Sequence, residues 1–237
     1  MQALILPDKI KEFPRLGAFK GGLEVKKKPL EQRSYSFEVR AETDEKGSVI
    51  TGRPIVYNSR TDLGFFDEVI ESGALNKTDL TDVRFLVNHD VSKIPLARSR
   101  RNNGNSTMQL ATDEQGLSIW VHLDTENNSE ARSLYSAVQR GDITGMSFMF
   151  SVNGEEWDNL ESEHPTRRIL DIGSVVEVSA VTFPAYESTE IYARDCKTAL
   201  ENARSALEKA KKPDANPLDS GKELELLKEK TKILGGM

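Results

Sequence analysis

Cysteine and histidine are scarce in this sequence of 237 residues. The single cysteine, Cys196, excludes an internal disulfide, and the three scattered histidines lack the CxxC and HExxH spacings of common metal sites. We therefore expect no metal and no cofactor. Long apolar runs are also missing: no stretch approaches the roughly 18 residues of a membrane span. The sequence also shows no charged-then-apolar secretory leader, so we expect an intracellular protein that does not bind membranes.

Charge is abundant but unevenly distributed along the chain. Charged residues make up 30% of the sequence, and 32 basic against 38 acidic residues give a net charge of −6. Residues 1–31 hold 7 basic and 4 acidic residues, whereas residues 32–195 hold 16 and 27, a charge of −11. An acidic centre without a basic face interleaved with aromatic residues argues against nucleic-acid binding.

Composition changes divide the chain into three segments. Residues 1–32, with glycines, prolines and a KKK run but no sustained period, are predicted to form a flexible basic N-terminal arm. Residues 33–194 contain short alternating runs rich in β-branched and aromatic residues, such as "GLSIWVHLD", separated by Gly, Asn and Asp clusters. They predict a mainly β domain with helices, of the α+β class, built as an antiparallel barrel or sandwich.

Helical spacing appears in and after the β domain. In "NNSEARSLYSAVQRGD", apolar residues recur at helical spacing, with Asn128 or Ser129 as the cap and Gly141 at the left-handed end position. A shorter helix is predicted over residues 72–80. Residues 195–237 are predicted to form a helical tail with a Pro-rich break at 211–221, and its narrow apolar stripes suggest self-association or docking, with packing on the β domain as the alternative.

Three polar residues on predicted strands could carry chemistry together. Ser147 lies on the polar face of "ITGMSFMFSV", His89 ends the strand "DVRFLVNHD", and Glu177 lies within the apolar run "GSVVEVSAVTF". Each has an ordinary structural explanation: a solvated serine, a half-buried histidine or a carboxylate at a sheet rim. They could instead converge as nucleophile, general base and orienting acid, because such triads are defined by geometry and not by chain order.

At these residues the sequence resembles the prohead maturation proteases of tailed bacteriophages, a group whose fold is thought to be related to assemblin, the herpesvirus assembly protease. The resemblance spans about Arg33 to Ala193, and its strongest blocks are "NHD", "RGDITGMSF" and "EVSAVTFPAY". It implies a closed or partly open antiparallel β-barrel with peripheral helices, and it makes His89 the base, Ser147 the nucleophile and Glu177 the third member of a triad.

The resemblance leaves some positions less well assigned. Where such proteins usually read SFGF, this chain reads "SFMF", so Met149 replaces a glycine on the Ser147 face. His122 and His164 are fallback candidates for the third triad member. By analogy with assemblin, Arg167 or Arg168 is a candidate for the oxyanion hole, with a solvated charge pair as the alternative explanation.

The function implied is that of a serine endopeptidase inside the procapsid, in the cytoplasm of a bacterial host. It would cleave a scaffold protein or the scaffolding segment of the major capsid protein, and then itself, within the 211–221 linker. The alternative is a non-catalytic capsid-assembly or scaffolding protein that uses the same fold for binding. Substitution of Ser147 would separate the two.

Overall fold

The structure is a computed structural model that describes residues 29–35, 39–183 and 190–211. Most of the predicted arm and the predicted final helix therefore lie outside the described residues. The described elements are eleven strands and two helices: β1 (Glu31–Tyr35), β2 (Val39–Asp44), β3 (Gly47–Val56), β4 (Arg60–Asp62), β5 (Asp67–Ile70), β6 (Asp82–Val87), β7 (Ala97–Arg100), β8 (Met108–Asp113), β9 (Gly116–Leu123), α1 (Ser129–Arg140), β10 (Gly145–Asp158), β11 (Thr166–Val181) and α2 (Glu190–Lys211). Glu31 and Gln32 belong to β1, so the first strand begins inside the segment predicted as an arm.

The strands form two sheets. In the larger one the order is β1-β10-β11-β5-β4, and β6 pairs with both β11 and β7. The smaller sheet has the order β2-β3-β9-β8. Most pairs are antiparallel, but β11 runs parallel to β5 and to β6. The mainly β, α+β class is confirmed; the pairing of the described strands does not close a barrel, so the barrel stays a prediction.

The long strands β10 and β11 form the centre of the larger sheet. They pair antiparallel along most of their length, with Ser147 directly opposite Ser179 and Met149 opposite Glu177. Register shifts follow Met149 and recur as far as Glu155, so the alternation of faces is interrupted there. The register places the polar residues of the first half of β10 on the same face as those of the last half of β11.

Helix α1 matches its predicted boundaries because both ends carry the expected caps. The Asn128 side chain accepts hydrogen bonds from the backbone N–H groups of Glu130 and Ala131, at 2.9 and 3.2 Å. Gly141 ends the helix with a φ of 78°. The short helix predicted over residues 72–80 is wrong: successive turns occupy 72–77, with Gly73 at a φ of 85°.

The main core lies between the two sheets and under α1. Side chains from nearly every strand are buried in it, among them Ile50, Phe85, Ile119, Phe148 and Val178. A second, smaller cluster forms where Cys196 and Leu200 of α2 pack on Leu63 and Phe66. Helix α2 is therefore attached to the body of the domain. Neither helix of the described ranges is long and apolar enough to cross a membrane.

Candidate active site

Strand β10 presents Ser147 from a rigid position in the middle of the larger sheet. Its neighbours across the sheet are Ser34 of β1 and Ser179 of β11. The strand alternates as the sequence predicts, since Met146 and Phe148 on either side of Ser147 are fully buried in the main core. Ser147 therefore lies on the opposite face, with its hydroxyl pointing away from that core.

His89 reaches Ser147 from the turn that follows β6. Its Nε2 atom lies 2.5 Å from the Ser147 Oγ. Both Asn88 and His89 have left-handed backbone, with φ values of 52° and 57°, a conformation that non-glycine residues rarely adopt. Asn88 holds this turn: its amide donates to the Thr182 hydroxyl at 3.0 Å, and its Oδ1 accepts from the Thr182 N–H at 2.9 Å.

Glu177 of β11 lies on the other side of the imidazole. Its Oε2 atom is 2.6 Å from His89 Nδ1. Its second oxygen, Oε1, accepts a short hydrogen bond from the Ser179 hydroxyl. Ser179 in turn accepts from the backbone N–H of His89 at 3.0 Å, so this one hydroxyl connects the backbone of the histidine to the carboxylate.

The side chains of Ser147, His89 and Glu177 are almost completely enclosed. Ser147 has no exposed surface, and the side chains of His89 and Glu177 are 11% and 5% exposed. Strand β1 covers one side of the serine: Ser147 donates to the Arg33 carbonyl at 2.8 Å, and Ser34 donates to Ser147 at 2.8 Å. A hydroxyl has one proton, so donation to Arg33 competes with donation to His89.

The structure places neither candidate oxyanion arginine beside Ser147. Arg167 is buried and bonds the carboxylates of Glu31, Glu68 and Glu155. Arg168 is half-exposed and bonds Glu71 at 2.8 Å. Both arginines are therefore held in ion pairs, and we do not assign either of them to the oxyanion hole.

Arg167 belongs to a buried network of charges that also fixes β1. Arg33 donates to both oxygens of Glu68, at 2.6 and 2.8 Å, and to Glu31 at 2.8 Å. Burial raises the pKa of the Glu31 carboxyl, but the hydrogen bond from Arg167 and the charges of Arg33 and Arg167 outweigh burial and lower that pKa below its ordinary range. The network holds β1, and with it the Arg33 carbonyl, against Ser147.

The two fallback histidines lie elsewhere. His122 of β9 pairs with Asp44 at 3.1 Å in the smaller sheet. His164 lies between Asp62 and Asp67, at 3.5 and 3.3 Å. Asp62, Asp67 and His164 have their ligand atoms within 4.8 Å of one another. Among the described residues they are the only such group of three or more, and all three are at least partly exposed. Both histidines thus contact carboxylates and not Ser147.

The structure brings together three residues that the sequence singled out and adds one that it did not. Ser147, His89 and Glu177 form one hydrogen-bonded chain, whereas the role of Ser179 was not anticipated. Its signal in the sequence is its position two residues after Glu177, which places both side chains on one face of the strand. A serine at such a position is usually solvated and therefore draws no attention.

Three kinds of comparison relate this chain to known proteins. Residues 35–203 match the model of a family described as caudovirus prohead serine protease. The chain is 29% identical over 171 residues to the prohead protease of Enterobacteria phage HK97, covering 70% of this chain and 69% of that protein. A solved structure of the bacteriophage T4 capsid assembly protease, gp21, matches with a TM-score of 0.33 and 11% identity over 64% of this chain and 98% of the other. The match to the family model extends over most of the β domain and into α2, and this chain belongs to the caudovirus prohead serine protease family.

Proposed function

We propose that this chain is a prohead maturation serine endopeptidase in which Ser147 is the nucleophile, His89 the general base and Glu177 the orienting acid. The observation that carries the proposal is the continuous chain of contacts, 2.6 Å from Glu177 to His89 Nδ1 and 2.5 Å from His89 Nε2 to Ser147. The spacing is that of hydrogen bonds between an acid, an imidazole and a hydroxyl.

The contacts support a specific order of proton transfers. Glu177 holds the imidazole proton on Nδ1, which leaves Nε2 free to accept the proton of Ser147. The Ser147 oxygen then attacks the carbonyl carbon of a peptide. When the carbon–nitrogen bond breaks, His89 returns the proton to the leaving amine, and an ester to Ser147 remains. Water, deprotonated by His89, attacks that ester; the bond to Ser147 breaks, His89 returns the proton to the Ser147 oxygen, and the second product leaves as a carboxylic acid.

Family membership supports the choice of substrate. A prohead protease acts on proteins of the assembling capsid, so we propose that this chain cleaves a scaffold protein or the scaffolding segment of the major capsid protein, and itself. This chemistry would take place inside the procapsid in the bacterial cytoplasm. A non-catalytic assembly role is less well supported, because it gives no reason for a nucleophile, a base and an acid to be aligned within hydrogen-bond distance.

The partly open barrel also belongs to this proposal. Strands β1 and β2 are consecutive in the chain but lie in different sheets, and β7 of the larger sheet contacts β8 of the smaller one. The two sheets therefore approach each other at the edge formed by β7 and β8. This arrangement is compatible with the assemblin type of barrel, in which a closed or nearly closed sheet supports the catalytic strand.

The test compares the wild type with Ser147→Ala and follows chain mass over time. Ser151→Ala is the matched control, because Ser151 lies on the same strand and its side chain bonds only that of Ser174 among the residues described. We expect terminal segments to be lost from the wild type and from Ser151→Ala but not from Ser147→Ala. If all three chains stay intact, capsid protein with its scaffolding segment is added. Continued absence of cleavage would contradict the proposal and favour the assembly role.

A further inference from the structure

A cavity of about 450 Å³ lies between helix α1 and the turn after β6 that carries His89. Its walls are mainly apolar, and Leu86 and Leu134 at its floor are buried. Asn88, Asp90, Ser129 and Ser133 contribute polar groups to the lining. The volume is within the range of about 300–1,000 Å³ that is common for sites of small ligands, and an apolar floor with a polar rim suits an aliphatic group carried on a polar backbone.

Several residues that line the cavity are sequence neighbours of the proposed base and nucleophile. Asn88 and Asp90, which line it, are the two neighbours of His89. Ile143, on the opposite wall, precedes Ser147 by four residues. The turn at 88–90 is held in place by the bonds of Asn88 to Thr182, so the cavity wall and the imidazole are fixed by the same contacts.

The surface around this cavity extends its apolar character. Val91 and Ile94, in the segment that follows His89, are 77% and 84% exposed. Across the opening, Lys93 donates to Glu130 of α1 at 2.8 Å, which joins that segment to the helix. Exposed apolar side chains of this size, next to a cavity and rimmed by polar groups, are typical of a surface that binds another molecule.

From these contacts we propose that the cavity is a specificity subsite for the peptide cleaved at Ser147, and that it binds one aliphatic side chain, such as leucine, isoleucine, valine or methionine. The inference rests on the proposed function. A second folded protein or a helix does not fit, because a helix with its side chains is about 10 Å wide. An extended peptide can place a single side chain in the cavity while its backbone passes His89.

The test determines which peptides are cleaved in a mixed library, with the cut sites read by mass spectrometry. Wild type should cut peptides that carry an aliphatic residue at one fixed distance from the scissile bond. Ala137→Leu fills the cavity from α1, and we expect it to lower kcat/KM for those peptides about 10-fold or more and to shift the preference toward alanine and glycine.

A second variant changes the cavity in the other direction. Ile143→Ala enlarges it and should shift the preference toward larger side chains such as phenylalanine. Ala206→Leu, the same change as Ala137→Leu but at an exposed position of α2, is the control and should keep the wild-type preference.

Two results would overturn the inference in distinguishable ways. Cleavage by the wild type with no aliphatic preference, or with a preference that Ala137→Leu and Ile143→Ala leave unchanged, would exclude the subsite and leave the proposed protease function intact. Absence of cleavage by the wild type, with Ser147→Ala equally silent after addition of capsid protein, would exclude the proposed function and the subsite with it.

Discussion

At the scale of single residues, the site depends on the backbone of His89 as much as on its ring. Its φ of 57° and that of Asn88 are unfavourable for residues with a Cβ atom. The strained turn is retained because Asn88 bonds Thr182 through its side chain and Ala180 through its N–H, at 3.0 Å. A histidine held in this way needs little rearrangement before it accepts a proton, which favours catalysis by fixed geometry.

We predict that Ser179 is a positioning residue, because it contacts both the His89 N–H and the Glu177 carboxylate. Ser179→Ala should lower kcat about 10-fold, by analogy with other groups that orient a catalytic side chain. Because the change affects the orientation of the imidazole and not the binding of substrate, KM should stay close to the wild-type value. Ser179→Thr, which keeps the hydroxyl, should restore most of the rate.

The control for Ser179→Ala is Ser174→Ala on the same strand. The Ser174→Ala substitution also removes a hydrogen bond between two hydroxyls, the one from Ser174 to Ser151 at 2.9 Å. In the described structure, however, the Ser174 side chain bonds none of Ser147, His89 and Glu177. Measurement of kcat and KM for both variants separates the two positions. Equal losses of kcat in both variants, or no recovery of the rate in Ser179→Thr, would show that Ser179 is merely structural.

At the scale of secondary-structure elements, the periodicity of the sequence predicts individual strands and helices but not which strands pair with each other. The strand that carries Ser147 and the capped helix α1 were predictable because their signals lie within a few residues of the chain. Parallel pairing of β11 with β6 was not, since nothing local in either strand specifies its partner. That pairing matters for the site, because it brings the end of β6, and therefore His89, next to Glu177 and Ser179.

The sequence also does not predict which charged residues are buried together. Arg33, Glu68 and Arg167 lie far apart in the sequence, and each is ordinary in its local context. In the structure they lock β1 and β5 against β11, with side chains that are 2% exposed or less. Since isolated buried charges are strongly unfavourable, the members of this network stabilise the fold only together.

Glu68→Gln tests this network. Removal of the carboxylate leaves Arg33 and Arg167 with fewer compensating charges in a buried site, so we expect the free energy of unfolding to fall by about 3 kcal/mol. Denaturant titration measures the change. Glu71→Gln is the matched control: Glu71 pairs with the half-exposed Arg168, and its loss should lower the free energy of unfolding by less than about 1 kcal/mol. Equal effects of the two substitutions would contradict a structural role for the network.

At the scale of the whole molecule, α2 separates the folded body from the segment expected to be removed. Cys196 and Leu200 bury one side of the helix against the small second core. Further along, Arg204 donates to the carbonyls of Leu160 and Ser162, at 3.1 and 2.7 Å, and Lys211 pairs with Glu161. Residues bound by such contacts are poor protease substrates, because cleavage requires the helix to unfold locally.

Self-cleavage should therefore fall on the C-terminal side of Lys211, in the segment that begins with "KPDANPLDSG". Intact-mass measurement of the matured wild-type chain, with Ser147→Ala as the uncleaved reference, locates the new terminus. A chain truncated after Lys211 should keep the wild-type unfolding temperature, since every described contact of α2 is retained. A cut within residues 190–211 would contradict this assignment: it would remove at least the contact of Lys211 with Glu161, and a cut before Arg204 would also remove the contacts of Arg204 with Leu160 and Ser162.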